Sequence, residues 1–170
     1  GRVAGAYAFN GISSAVSLGS NRNFFRNVAG GTIEAWVKPA VIYSRNSVIA
    51  ASSINAQVQQ SRMQLHLTSD GADGKVHFIV RDLDTTETGL ELIATSLIRI
   101  NQWTHIVGVF DVAAKRMAIF LNGKKDAETT SVAFTQNKSP DTASAAAAIG
   151  ADDRSDDYFF NGGIDEVRFS

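Results

Sequence analysis

Apolar and polar side chains alternate with a period of two along much of this chain. In "TIEAWVK", Ile33, Ala35 and Val37 fall on one side and Glu34, Trp36 and Lys38 on the other, the pattern of a strand with one face toward a core. "RMQLHLT" sets Met63, Leu65 and Leu67 against Gln64, His66 and Thr68. "KVHFIVR" sets Val76, Phe78 and Val80 against His77, Ile79 and Arg81, and "RMAIFLNG" sets Met117, Ile119 and Leu121 against Ala118 and Phe120. The segments are short and separated by turn-forming clusters such as "SDGADGK" and "LNGKK". The alternation predicts an all-β sandwich of short strands with at most a turn or two of helix. Burial of Ile33, Ala35, Val37, Met117, Ile119 and Leu121 follows from it. "TASAAAAIG" has alanine-rich helical propensity, but it is brief and runs into an apolar pair that begins a strand.

Composition changes this picture little. A chain of 170 residues suits one compact domain, able to bury roughly 70% of the surface its unfolded form exposes. Apolar residues make up 44% and charged residues 19%, a globular rather than a disordered balance. Sixteen basic residues against seventeen acidic ones leave a net charge of -1, with no basic stripe to neutralise phosphates, so nucleic acid is not an expected partner. No apolar run reaches the ~18 residues of a membrane span, and no membrane insertion is expected. The absence of cysteine excludes disulfides and thiolate metal sites.

"NQWTHIVGVFDVAAKRMAIFLNGKK" brings a His and an Asp close in sequence. His105 continues the alternation with Trp103, Val107 and Val109 on its own side, which predicts a histidine beside packing. Asp111 falls where the strand ends, where Asp commonly accepts from backbone amides. Asn122-Gly123 supplies the positive-φ residues of a tight reversal. A structural role is expected for all of them.

Five segments, "AYAFNGISSAVSLGS", "GTIEAWVKP", "INQWTHIVGVFD", "MAIFLNGKK" and "YFFNGGIDEVRFS", stand in the order seen in laminin-G-like domains, and the chain resembles that family of the concanavalin A-like lectin and glucanase superfamily over nearly its whole length. The resemblance implies a two-sheet antiparallel jelly-roll sandwich spanning residues 1–170 as one domain excised from a larger protein. It places the first strand, about Ala6 to Phe9, beside the last, about Ile164 to Phe169. It also implies an extracellular or cell-surface location. The family often holds a structural calcium at a "Phe-Asp-Gly" turn and the Asp of a closing "Ile-Asp-Glu-Val-Arg" strand. This chain reads Phe9-Asn10-Gly11, with Asp165 unchanged, so Asn10 and Asp165 are the metal ligands the resemblance implies, with one anionic ligand replaced by a neutral oxygen.

The superfamily contains sugar-binding modules, glycosidases and adhesion domains, so the site must decide. Laminarinase-type glucanases carry Glu-x-Asp-x-x-Glu on one strand. The corresponding spacing here is Asp82, Asp84 and Glu87 in "DLDTTE", where a shorter first carboxylate and a polar, threonine-rich setting argue against a retaining pair. "ADDRSDDYF" fails as an EF-hand-type loop: counting from Asp153, the sixth position is Tyr158 instead of glycine and the twelfth is Ile164 instead of a carboxylate. Asp152, Asp153, Asp156 and Asp157 around Arg154 read first as a solvated loop, and alternatively as a rim that hydrogen-bonds sugar hydroxyls, with Arg154 a bidentate donor. Gln64, His66, His77 and Arg81 fall opposite the apolar positions of two consecutive strands, and form either a polar floor on a concave sheet or ordinary solvent-facing residues on a convex one. Trp36, opposite Ile33, Ala35 and Val37, is expected to be buried. The sequence therefore points to a non-catalytic, lectin-like carbohydrate-binding module of a secreted or surface polysaccharide-active protein. Gln64, His66, Arg81, Asp152, Asp153 and Arg154 are its candidate ligand-binding residues, and a glycan or polysaccharide its partner. A protein-binding adhesion domain is the first alternative, and a glycosidase using Asp82, Asp84 and Glu87 the second.

Overall fold

The computed structural model describes residues 5–20, 29–44, 47–54, 63–80, 90–132, 146–151 and 158–170. The described residues form twelve strands and no helix: β1 (Tyr7–Asn10), β2 (Val16–Ser20), β3 (Gly30–Val41), β4 (Ser47–Ile54), β5 (Met63–Asp70), β6 (Asp73–Val80), β7 (Leu90–Ile93), β8 (Thr104–Asp111), β9 (Arg116–Leu121), β10 (Lys124–Thr130), β11 (Ala146–Ile149) and β12 (Asn161–Phe169). They make two six-stranded antiparallel sheets, the first ordered β1-β12-β3-β8-β9-β10 and the second β2-β11-β4-β5-β6-β7. The first and last strands pair directly, Tyr7 opposite Ile164 and Phe9 opposite Gly162, as the resemblance implies.

The two-residue period becomes the two faces of each sheet. Along β8, Thr104, Ile106, Gly108 and Phe110 are buried while His105, Val107, Val109 and Asp111 are half-buried. Ile33, Ala35 and Val37 of β3, Met117 and Ile119 of β9, and Leu65, Leu67 and Phe78 of the second sheet meet in one core cluster, each large apolar side chain contributing about 1.5–3 kcal/mol by leaving water. Leu121 departs from the expectation and is only half-buried, because it ends β9 beside an open groove. The close approach of the sheets is set partly by Gly108, where an added Cβ would lie 2.5 Å from the Phe78 ring across the core.

Two irregularities shape the second sheet. A register shift between Val48 and Ala50 of β4 turns Ile49 and Ala50 both into the core, while Val48 and Ala51 pack on the opposite face against Tyr158. Helix propensity in the alanine run is overridden: Ala146–Ile149 is a strand hydrogen-bonded on both sides, to β2 and to β4. Small side chains suit a strand enclosed between two neighbours, and tertiary pairing outweighs a propensity worth tenths of a kcal/mol per residue.

Candidate functional site

The outer face of the second sheet carries the polar side chains that alternation left over. Gln64, His66 and Thr68 of β5 stand opposite Ile79, His77 and Lys75 of β6, and β7 places Glu91 opposite Ile79 and Ile93 opposite His77. This is not an ordinary solvated face, since Gln64 and His66 are each 1% exposed. The directly cross-strand rings of His66 and His77 stack, centroids 4.8 Å apart and planes inclined by 18°. His77 is held at both nitrogens, with Nε2 2.7 Å from Thr68 Oγ1 and Nδ1 2.7 Å from Glu91 Oε1. The β5–β6 hairpin and the short β7 thus bring an amide, two imidazoles, a hydroxyl and a carboxylate onto one rigid surface. At the β4 side the half-buried Tyr158 packs on Val48 and Ala51.

Of the residues the sequence singles out, Gln64 and His66 come together on this face, with His77 beside them. Arg81, Asp152, Asp153 and Arg154 lie outside the described residues, as do Asp82, Asp84 and Glu87. Sequence reasoning missed Thr68, Glu91 and Tyr158. Glu91 had a readable signal, because "LELI" alternates and its Leu90 and Leu92 pack on the core, yet the polar stretch before it reads as loop.

Asn10 and Asp165 are not brought together. Asn10 faces Asn161, four residues before Asp165 on β12, which separates the two by about 13 Å at ~3.3 Å per residue. Asn10 Oδ1 accepts from the backbone N–H groups of Ile12, Ser13 and Ser14, closing the turn after β1. Asp165 Oδ1 accepts from the N–H of Glu166, at a register shift where Glu166 takes φ 50°. Calcium–oxygen distances of about 2.3–2.6 Å cannot bridge that span, so these residues do not fit one shared ion. An ion bound at ~10 μM and supplied a hundredfold above that would add about 2.7 kcal/mol, or about 5–11 °C of melting temperature. We expect Asp165→Ala to leave unchanged any melting difference between millimolar calcium and chelator. A calcium-dependent rise present in the wild type and absent from Asp165→Ala would restore the shared site.

The other polar candidates hold the sheet together. His105 sits on the outer face of the first sheet, its ring 5.1 Å from that of Trp36 and its Nε2 3.8 Å from Glu34. Trp36 is accordingly half-buried rather than covered by a further layer. Asp111 Oδ1 accepts from the N–H of Ala114 in the β8–β9 turn. Asn122 and Gly123 adopt φ 50° and 78° in the next turn, where Asn122 Oδ1 accepts from the N–H of His105. A groove of about 470 Å³ opens nearby among Arg99, Gln102, Asn122, Lys124 and Asp126. Asp126 there accepts from the Thr95 and Ser96 backbone N–H groups. On the neighbouring β10 surface, the hydrogen bond from Lys125 holds the Glu128 carboxyl below its ordinary value.

Two packed antiparallel sheets with paired terminal strands and a polar outer face define a lectin-type β-sandwich. The chain belongs to the Laminin_G_3 family of the concanavalin A-like lectin/glucanases superfamily, whose model matches residues 10–170. No curated protein matches it significantly by sequence. Among solved structures it is similar to the CBM40 of the Ruminococcus gnavus IT-sialidase bound to α2,3 sialyllactose, with 20% identity and a TM-score of 0.73 over 98% of this chain and 89% of that one. Domain 4 of AbnA, a GH43 extracellular arabinanase from Geobacillus stearothermophilus, in complex with arabinotriose, shows 20% identity and a TM-score of 0.70 over 99% and 71% of the two chains. The heptameric SAP-like pentraxin of Limulus polyphemus shows 15% identity and a TM-score of 0.69 over 95% and 73%.

Proposed function

We propose that the chain is a non-catalytic carbohydrate-binding module of a secreted or cell-surface polysaccharide-active protein, taking glycan on the outer face of the second sheet. The observation that carries this reading is the withdrawal of Gln64 and His66 from solvent on a strand face that the apolar core does not use. Gln64 and His66 form the fixed floor, and His77, Thr68, Glu91 and Tyr158, which keep access to solvent, supply the contact surface. A few oriented donors and acceptors beside an aromatic ring are what a pyranose or furanose requires. Arg81, Asp152, Asp153 and Arg154, which lie outside the described residues, stay candidate sugar contacts from the sequence. Family membership supports it, as do two domains of the same fold solved with sialyllactose and with arabinotriose.

Such a surface exchanges hydroxyl–water for hydroxyl–protein bonds, so micromolar to millimolar dissociation constants are expected. The test incubates the purified protein with a panel that includes arabinan and sialylated glycans, following retention and the release of reducing ends in parallel. Retention without release, weakened at least about tenfold by Arg154→Ala, is the expected result. Release abolished by Glu87→Gln would establish a glycosidase. Failure to retain any glycan, together with capture of a protein ligand, would establish an adhesion domain.

A further inference from the structure

We propose that His66, His77 and Glu91 form a binding site for a divalent transition-metal cation of the zinc class, which goes beyond the glycan reading and does not depend on it. The three residues come from three adjacent strands, β5, β6 and β7, and one potential ligand atom of each lies within 4.8 Å of the other two. Two imidazole nitrogens and one carboxylate oxygen are a donor set for zinc and its neighbours in the first transition row, not for calcium or magnesium, which take oxygen. A tetrahedral ion with ligand distances of about 2.0–2.1 Å keeps its ligand atoms roughly 3.3 Å apart. Closing the cluster to that spacing requires the His66 ring to turn out of its stack with His77, so that the in-plane lone pairs of both rings converge on one point, while the paired strands hold the Cα positions.

His77 already has the surroundings of a metal ligand. With Glu91 ionised and able only to accept, a neutral His77 carries its proton on Nδ1, and Nε2 accepts from the Thr68 hydroxyl at 2.7 Å. A cation entering between His77 Nδ1 and Glu91 Oε1 replaces that proton. The imidazole proton then resides on Nε2, and the Thr68 hydroxyl, free to rotate, accepts from it. A ring N–H donated to a fixed oxygen is the outer contact that orients metal-bound histidines. Three protein ligands leave a fourth position for water or a hydroxyl oxygen. The burial of His66 keeps one ligand away from competing solvent.

The chain has no cysteine and only one further histidine, His105, on the other sheet, so a metal titration has few competing sites. Cobalt(II) alone, then zinc displacing it, is titrated into the folded protein without sugar. The expected result is one site with the visible absorption of tetrahedral Co²⁺, weakened at least about tenfold by His77→Gln and by Glu91→Gln, and unchanged by His105→Gln. Thr68→Val should weaken it by about 10–100-fold, as loss of an outer-shell partner does, and Thr68→Ser should restore it. Glu91 is solvent-exposed, so Glu91→Gln reports on metal binding even if a histidine variant fails to fold. Absence of the tetrahedral spectrum, or wild-type affinity in Glu91→Gln, overturns the site. Either outcome leaves glycan retention to be judged separately, since no sugar is present.

Discussion

Phe78→Ala is expected to lower the unfolding free energy by about 3–5 kcal/mol, the cost of emptying an aromatic site in a packed core. Phe78 is fully buried in the middle of β6. Its ring fills the space left on the facing sheet by Gly108, where a Cβ would come within 2.5 Å of it. The site cannot collapse easily, because both walls are central strands: β6 is paired to β5 and β7, and β8 to β3 and β9. Urea denaturation measures the loss directly, and a fall of about 6–20 °C in melting temperature should accompany it at ~2–4 °C per kcal/mol. A loss below about 1 kcal/mol would mean that the sheets do not meet through this ring.

Gly162→Ala should cost about 3 kcal/mol or more, although it adds only one methyl group. Gly162 has φ 137°, a conformation L side chains rarely adopt, and an added Cβ would be driven into the Lys38 carbonyl oxygen and to 2.8 Å from Ala40 N. The obstruction is the backbone of β3, which cannot step aside as a side-chain end can, so strain and overpacking add. Because Gly162 also faces Phe9 on β1, the substitution should loosen the pairing of the terminal strands. Faster amide hydrogen exchange in β1 than in β5 would register that effect. Unchanged exchange in β1 and a stability loss under about 1 kcal/mol would show that β12 relaxes around the methyl.

Gln64 and His66 show how far the sequence reads toward the candidate site. Alternation placed both on the face away from Met63, Leu65 and Leu67, and that placement depends only on the two-residue geometry of a strand. Whether the face is covered was invisible, because burial depends on which segments cross it. Trp36 and Leu121 fail for the same reason. Each sits at the correct side of its strand, but half-exposure comes from the position of neighbouring elements, not from period.

The expected calcium ligands illustrate a different gap. Asn10 and Asp165 were joined by family motif order, which says that two strands are neighbours but not in what register. The Asn10–Asn161 pairing, four residues from Asp165, is fixed by the whole β1–β12 ladder and separates them. The pairing of His66 with His77 is fixed more locally, since the two flank one tight hairpin whose turn at Gly71 aligns Asp70 with Asp73. Glu91 joins them only because β7 returns along the other edge of β6.

By itself, then, the amino-acid sequence determined the all-β class, the inward set of each alternating strand, the turn roles of Asp111 and Asn122-Gly123, and, through ordered motifs, the family. All of these are local or near-local properties in which strand period and turn conformation leave few choices. Only the tertiary structure decided that the alanine run is an inner strand, that Gln64 and His66 on the polar face of β5 are withdrawn from water, that Thr68 and Glu91 clasp His77, and that Asn10 and Asp165 stand apart. These rest on long-range pairing and register, where a shift of a few residues changes every cross-strand neighbour while leaving the hydrophobic pattern of each strand intact.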